Sequence, residues 1–551
     1  MAKLSDDELL FLSNLMHMKK EKVSGGCSPF KDIWSDNNKD KTIGELINSV
    51  DTSQLRKEPY CNKKFDGEIS GKEWADMIDE IRKHDEIVNM KLKDVNVDDH
   101  KALSVYLEDK DGKPYVVFRG TSAGEWPDNF MGGYLTDTEQ EKRALDYVNS
   151  IGRSDITVVG HSKGGNKAKY VALLSDKVSR CVSFDGQGFS RNFIDKYSDL
   201  IDKNKYKITC YALDNDFVNL LLYDIYNVKY YVKGNGVESF DQNHSPNSFY
   251  YFDENGCKIV ITEQNEAMAK LHKFVNYVSA TISESDREGF FNMLGQVAEM
   301  ALGKKPPNYT EKYTQEEMIQ FLLKPENKHY LGLLVAYLAE YEKVDNGITE
   351  VILNVLEGTD LKNIVVWIRR FDKYIANGQT LEEILDFIAE NRALLAKIAK
   401  FLKAPDDIVD LIFNIADAYS IEKMTVPIAT TESLKEYSGS GSSVVRDYST
   451  DMRDSLLDLT DEVKNEPFYD VTKWDVWYRL EDWFGLLSID RYKNDIDSYH
   501  RKVIDINGTT KKQLNKIFEE VDKVTDDYVS DMNSIKSSIK SIKSDIKKIC
   551  N

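Results

Sequence analysis

Asp155-Ile-Thr-Val-Val-Gly-His-Ser-Lys-Gly-Gly-Asn-Lys-Ala-Lys-Tyr-Val-Ala-Leu-Leu174 is the stretch on which the reading of this sequence turns. Ile156–Val159 is a short, largely β-branched run with the composition of a buried strand. Gly160-His161-Ser162-Lys163-Gly164 follows it without a spacer, and Asn166 to Leu174 reads as a helix. A G-x-S-x-G pentapeptide between a strand and a helix is a sharp, strained turn, and glycines two before and two after the serine leave room for the close backbone approach. The serine oxygen then projects at the carboxyl end of the sheet, beside the N–H groups of the helix N-terminus. Ser162 is therefore the candidate nucleophile.

Working outward, Arg180-Cys-Val-Ser-Phe184 and Lys207-Ile-Thr-Cys-Tyr-Ala212 are further short apolar runs, separated by helical stretches. That alternation predicts βαβ units around a mostly parallel sheet. Val105–Glu108 and Tyr115–Phe118 flank Asp111-Gly112, a hairpin signal. A last hairpin is expected from Phe249–Phe252 and Cys257–Ile261 around Asn255-Gly256. Residues 1–262 thus read as an α/β domain of the α/β-hydrolase type.

A serine hydroxyl is a poor nucleophile until a base takes its proton, so a histidine is required. His17, His84 and His100 precede Ser162, which breaks the Ser…Asp…His order of this fold. His161 adjoins the nucleophile and is expected to point away from the elbow. His272, His329 and His500 fall on predicted helices among charged residues. His244, in Asp241-Gln-Asn-His-Ser-Pro246, follows the last core strand and is the candidate base. The acid should follow the penultimate strand, where Leu213-Asp214-Asn215-Asp216-Phe217-Val218 offers two. Asp216 is preferred because it heads an apolar turn that can bury and orient it; Asp214 is the alternative. Asp185 follows a strand too early in the chain and reads as structural. For the oxyanion hole, the amide of Lys163 is one donor. Thr121, closing Phe118-Arg119-Gly120-Thr121 after an earlier strand, offers its amide and its hydroxyl as the other.

Beyond residue 262 the character changes. Residues 263–425 have helical periodicity and almost no strand signal, with capping boxes at Thr314-Gln-Glu-Glu317 and Thr380-Leu-Glu-Glu383. Residues 426–443 form a linker around Ser438-Gly-Ser-Gly-Ser-Ser443. In 444–551, Leu514, Phe518, Val521, Thr525, Tyr528, Met532, Ile535, Ile539, Ile542, Ile546 and Ile549 alternate four and three apart, predicting a long helical hairpin. The 551 residues carry 73 Lys+Arg against 93 Asp+Glu, a formal net charge of −20, which argues against a nucleic-acid binder. No Cys/His cluster has zinc spacing, so no metal and no cofactor are called for. The acidic N-terminus lacks the apolar run of a signal peptide, and no stretch is long enough to span a bilayer.

Phe-Arg-Gly-Thr at 118–121, Gly-His-Ser-Lys-Gly-Gly-Asn at 160–166 and Ser-Phe-Asp-Gly-Gln-Gly-Phe at 183–189 together resemble the bacterial lipase-like α/β-hydrolase family related to class 3 lipases. The resemblance implies acyl-ester hydrolysis, of lipids or phospholipids, without a metal. It supports Thr121, Ser162 and Asp216 in the roles above. The stretch Tyr499 to Thr510, followed by Leu514–Tyr528, resembles the helical LXG-like targeting domains of type VII secretion, although the module is C-terminal here and no clear Leu-x-Gly is present. The order resembles a reversed type VII secreted lipase toxin. That implies export without a cleaved signal, small helical WXG-like or LXG-associated partners on 444–551, and an immunity protein for the lipase part. Two other functions fit the residues: a cytoplasmic esterase for small esters whose helical tail drives oligomerisation, and a binding protein whose hydrolase domain is catalytically silent.

Overall fold

The Val- and Ile-rich runs form the middle of an eight-stranded sheet in the computed structural model of the chain. The structure describes residues 4–429 apart from 22, 25, 98–102, 123, 236–242, 254–255, 304, 307–310, 358–364, 367–368, 370–379, 391, 402–403 and 428. The expected linker core at 438–443 and the helical hairpin at 444–551 lie outside the described residues.

The strands are β1 (Lys91–Val97), β2 (Leu103–Glu108), β3 (Pro114–Phe118), β4 (Ile156–His161), β5 (Val178–Phe184), β6 (Ile208–Leu213), β7 (Val228–Val232), β8 (Tyr251–Asp253), β9 (Gly256–Lys258) and β10 (Ile261–Thr262). The sheet order is β1-β2-β3-β4-β5-β6-β7-β10. From β3 to β7 every pairing is parallel; β1, β2 and β10 are antiparallel to their neighbours. The hairpins expected around Asp111-Gly112 and Asn255-Gly256 are present as β2–β3 and β8–β9, the latter forming a separate small sheet. The strand β1 was not in the sequence reading, β7 was implied there only as a last core strand without bounds, and β10 was not separated from the expected strand Cys257–Ile261.

Alternation along the strands divides the core into two. Tyr115, Val117, Val159, Val182 and Leu213 face a core completed by the helices Asp6–Leu15 and Gly71–Ile81, with Leu9, Trp74 and Ile78. Val116, Phe118, Val158, Cys181 and Cys210 face the helices Glu139–Ser150, Lys163–Leu174 and Arg191–Asn204, with Val148, Val171 and Phe193. The sheet is thus sandwiched between helical layers. Three of these helices open with reciprocal capping boxes, Ser5/Glu8, Ser70/Glu73 and Thr138/Glu141, which fix where the chain turns back onto the sheet. The first 90 residues were expected to mix strands and helices. Among the described ones, helices and turns occur, with isolated bridges but no strand.

Residues 1–430 form one compact unit. From Glu266 to Glu422 the described elements are helices, and the capping boxes at Thr314/Glu317 and Thr380/Glu383 are made. This region packs against the sheet domain. The helix Glu284–Leu302 lies against the helix Trp126–Met131, where a Cβ on Gly295 would stand 3.1 Å from Phe130. Phe291 fills the space at Gly133, where a Cβ would come within 2.5 Å of its ring. No helix among the described residues is long and apolar enough to cross a membrane.

Candidate active site

The turn from β4 into the helix Lys163–Leu174 carries Ser162 at φ 58° and ψ −127°, a conformation that costs a non-glycine residue about 1–3 kcal/mol. The surrounding backbone holds it there. Ser162 N–H donates to Phe184 O at 2.9 Å, and Asn166 N–H donates to Ser162 O at 3.1 Å. Glycine at 160 and 164 is a packing requirement: a Cβ at Gly160 would collide with Gly164, and one at Gly164 with the Phe118 carbonyl. The elbow is thereby pressed against the end of β3, which delivers Arg119, Gly120 and Thr121 beside the serine.

The structure brings Ser162, His244 and Asp216 together. His244 Nε2 is 2.7 Å from Ser162 Oγ, and its Nδ1 is 3.0 Å from Asp216 Oδ1. Because a carboxylate only accepts, this geometry puts the Nδ1 proton toward Asp216 and leaves Nε2 to accept from the serine hydroxyl. Asp216 is fully buried, and its Oδ2 accepts the amides of Val218 and Asn219 at 3.2 and 3.3 Å. Asp214 points elsewhere, its Oδ1 accepting Gly234 N–H at 3.1 Å. The loop carrying His244 is anchored to the N-terminal layer. Ser245 Oγ donates to Gly67 O at 2.9 Å, Asn14 Nδ2 donates to Pro246 O at 3.4 Å, and the Phe11 and Tyr250 rings stack at 4.7 Å.

Lys163 opens the helix, so its amide is among the first, unpaired N–H groups beside Ser162. Its side chain turns inward. Burial alone would lower the ammonium pKa, but Asp128, 3.0 Å away, and Glu141 outweigh that and raise it. Gly120 packs on the elbow, where a Cβ would stand 3.2 Å from that of Ser162. In the next residue, Thr121 Oγ1 accepts Asn129 Nδ2–H at 2.8 Å, which leaves the Thr121 hydroxyl proton to donate elsewhere. Glu299, from the helix Glu284–Leu302, accepts the amides of Gly124 at 3.1 Å and Trp126 at 3.4 Å. The helical region therefore holds the far end of the loop that carries Thr121.

Several participants were missed or misplaced in the sequence. His161 does not point away from the site: its ring lies 4.8 Å from that of His244, centroid to centroid. Asn219 and Asn129 gave no local signal, since both act through tertiary contacts. Phe217 lies 5.8 Å from the His244 ring and stacks with Trp126 at 6.5 Å, placing two half-buried aromatics close to His244. Of the other histidines, His17 pairs with Asp66 at 2.9 Å, His84 with Glu8 at 3.2 Å, and His329 with Glu422 and Asp286. Among the described residues, His161, Asp185 and His244 are grouped closely enough to offer atoms to a metal ion, but both ring nitrogens of His244 already face Asp216 and Ser162.

Residues 88–296 match the model of the Mbeg1-like family, a lipase-like family, and with the α/β sheet this fits a lipase-like fold and a lipase-like hydrolase. The matched segment starts just before β1, leaving the N-terminal helical layer outside it. No curated protein matches the chain.

Proposed function

We propose that the protein is a serine hydrolase of carboxylic acyl esters, acting through Ser162, His244 and Asp216. The observation that carries this reading is the continuous pair of contacts, 2.7 Å from Ser162 to His244 and 3.0 Å from His244 to Asp216, on a strained elbow that turns the serine oxygen toward the imidazole. His244 takes the Ser162 proton as Oγ attacks the ester carbonyl. The amides of Lys163 and Thr121, with the Thr121 hydroxyl, receive the charge on the carbonyl oxygen. His244 then protonates the departing alcohol, and water repeats the sequence on the acyl-enzyme to release the acid. Asp216 holds the imidazole in the tautomer that accepts at Nε2.

The aromatic pair Trp126 and Phe217 supports an apolar acyl chain as the group beside the nucleophile, hence a lipid or phospholipid ester of phospholipase A type. The resemblance of 444–551 to LXG-like modules supports a second part of the proposal: export by type VII secretion as a lipase toxin, with small helical partners on that module and an immunity protein on the lipase part. The test is product analysis on mixed phospholipid vesicles and triglyceride, wild type beside Ser162→Ala. Fatty acid and lysophospholipid released by wild type alone are the expected result. Turnover of a short soluble ester without lipid release would reassign the protein to small esters. Equal release by Ser162→Ala would end the serine mechanism. Deleting 444–551 should leave hydrolysis in vitro and abolish export.

A further inference from the structure

Asp185, set aside as structural in the sequence, lies at the end of β5 with φ at 45°, a strained value for a residue other than glycine. It is fully buried. Its Oδ1 accepts the Leu213 amide at 2.7 Å and Asn219 Nδ2–H at 3.1 Å. The same Asn219 amide stands 3.4 Å from Asp216 Oδ2, so one side chain spans both carboxyls. Asp185 Oδ2 has no hydrogen-bond partner among the described residues and stands 4.0 Å from His161 Nε2, which has none either. A nitrogen of His244 lies within 4.8 Å of a carboxyl oxygen of Asp185. The site therefore holds two acid–imidazole pairs side by side, of which the mechanism above uses one.

Two buried carboxyls this close do not both ionise readily. Burial, and then the neighbouring Asp216, pushes Asp185 well above the usual carboxylate range. Burial, with His244 and His17, pushes His161 well below the usual imidazole range. Both shifts favour the uncharged forms of Asp185 and His161.

We propose that Asp185 is a second acid of this site, a positioning residue that steadies the Asp216–His244 pair through Asn219 and His161 and takes over the orientation of His244 when Asp216 is removed. The inference rests on the Ser162–His244–Asp216 reading. An asparagine at 185 could still accept from Leu213 and Asn219. Only a carboxyl can become negative opposite the imidazolium that forms in each half of the cycle. With Asp216 gone, the like charge that opposes ionisation of Asp185 is gone as well.

The test is kcat/KM against pH for p-nitrophenyl butyrate hydrolysis by the full chain: wild type, Asp185→Asn, Asp216→Ala and the double variant, with Ser162→Ala as background. Asp185→Asn is expected to lose about fivefold, and Asp216→Ala about 10²-fold instead of the ~10⁴ that loss of a lone triad acid costs. The double variant should lose about 10⁴-fold, well beyond the product of the single losses. The acid limb of the Asp216→Ala profile should stay near that of wild type, and that of the double variant should move down by about one pH unit, since no carboxylate then faces the imidazole. Losses that simply multiply, or an Asp216→Ala loss already near that of the double variant, overturn the proposal. Should the double variant fail to fold, Asp216→Asn beside Asp216→Asn/Asp185→Asn makes the same comparison with both volumes kept. Wild-type turnover that persists in Ser162→Ala, or no wild-type turnover, would sink the triad reading and take this inference with it; impaired Ser162→Ala and Asp216→Ala with multiplying losses would sink this inference alone.

Discussion

Ser162 occupies a backbone conformation that a serine adopts only under constraint, and the constraint is visible in the neighbours that admit no Cβ. Gly164→Ala would drive a methyl into the Phe118 carbonyl, so the elbow and the end of β3 must part. We expect a loss of about 2–4 kcal/mol of stability and at least tenfold in turnover, read from denaturant melts and ester hydrolysis. Ser162→Ala leaves the fold in place and should lower turnover by ~10⁴–10⁶-fold. Asp185 gives a prediction of opposite sign for stability. Its folded-state carboxyl titrates above its unfolded value, so no penalty exists below the unfolded pKa of about 3.9, and a penalty grows as pH rises from there. Asp185→Asn should therefore melt higher than wild type at pH 8, by about 2 °C or more, with the advantage shrinking toward pH 4 in paired thermal scans. At this scale the sequence was legible where chemistry is encoded locally. The pentapeptide marks Ser162, and chain order selects His244. Asp216 could be preferred to Asp214 because an apolar turn follows it. His161 and Asp185 escaped because what matters about them is a neighbour on another strand.

Among the elements, the helices after Glu266 are tied together by one imidazole. His329, on the helix Pro325–Glu342, contacts Glu422 at 2.8 Å and Asp286 at 3.1 Å, carboxylates from two other helices. Partial burial works against its charge, but the hydrogen bonds to the two carboxylates outweigh it and raise its pKa. A raised histidine contributes stability that is fully present below its unfolded value and is lost as pH rises through its folded value. Thermal scans from pH 6 to pH 9 should show the helical region loosening, by up to about 1 kcal/mol given the side chain's partial exposure, and His329→Gln should flatten that dependence. Elements were readable where patterning was strong. The parallel strands β3 to β6 are largely apolar and stood out as short runs. The strands β1 and β7 did not, because Lys91-Leu-Lys-Asp-Val-Asn-Val97 and Val228-Lys-Tyr-Tyr-Val232 carry the charges and half-exposed residues of sheet margins. The two residues of β10 pair only with Val232 and Tyr231, too little to leave a pattern.

Across the whole molecule, the N-terminal layer is inseparable from the site although the family match begins at residue 88. It supplies one face of the core and anchors the His244 loop, so removing residues 1–87 should yield insoluble protein. On the opposite side of the sheet, Asp224 joins Lys169 of the helix after the elbow to Lys229 of β7, the latter at 3.0 Å. Burial pushes the Asp224 carboxyl up, but the two ammonium groups outweigh it and bring it down to about 2. A depressed carboxyl contributes stability present above its unfolded value and lost as pH falls through the folded one. Acid unfolding should therefore steepen between about pH 4 and pH 2, and Asp224→Asn should weaken that dependence while lowering stability at pH 7. The helical region after residue 262, readable in sequence only as amphipathic helices, acquires a location from Glu299, which holds the Thr121 loop, and from Phe291, which packs at Gly133; no local pattern encodes either contact.

The central claim is that Ser162 is an activated nucleophile, and it can be tested without knowing the natural ester. The full chain is treated with a fluorophosphonate at neutral pH and the modified peptide is mapped by mass spectrometry, with His244→Ala and Ser162→Ala alongside. One adduct per chain, on the peptide holding Ser162, strongly slowed in His244→Ala and absent in Ser162→Ala, is the predicted result. A folded wild-type protein that takes no adduct, or takes it at another residue, would contradict the account.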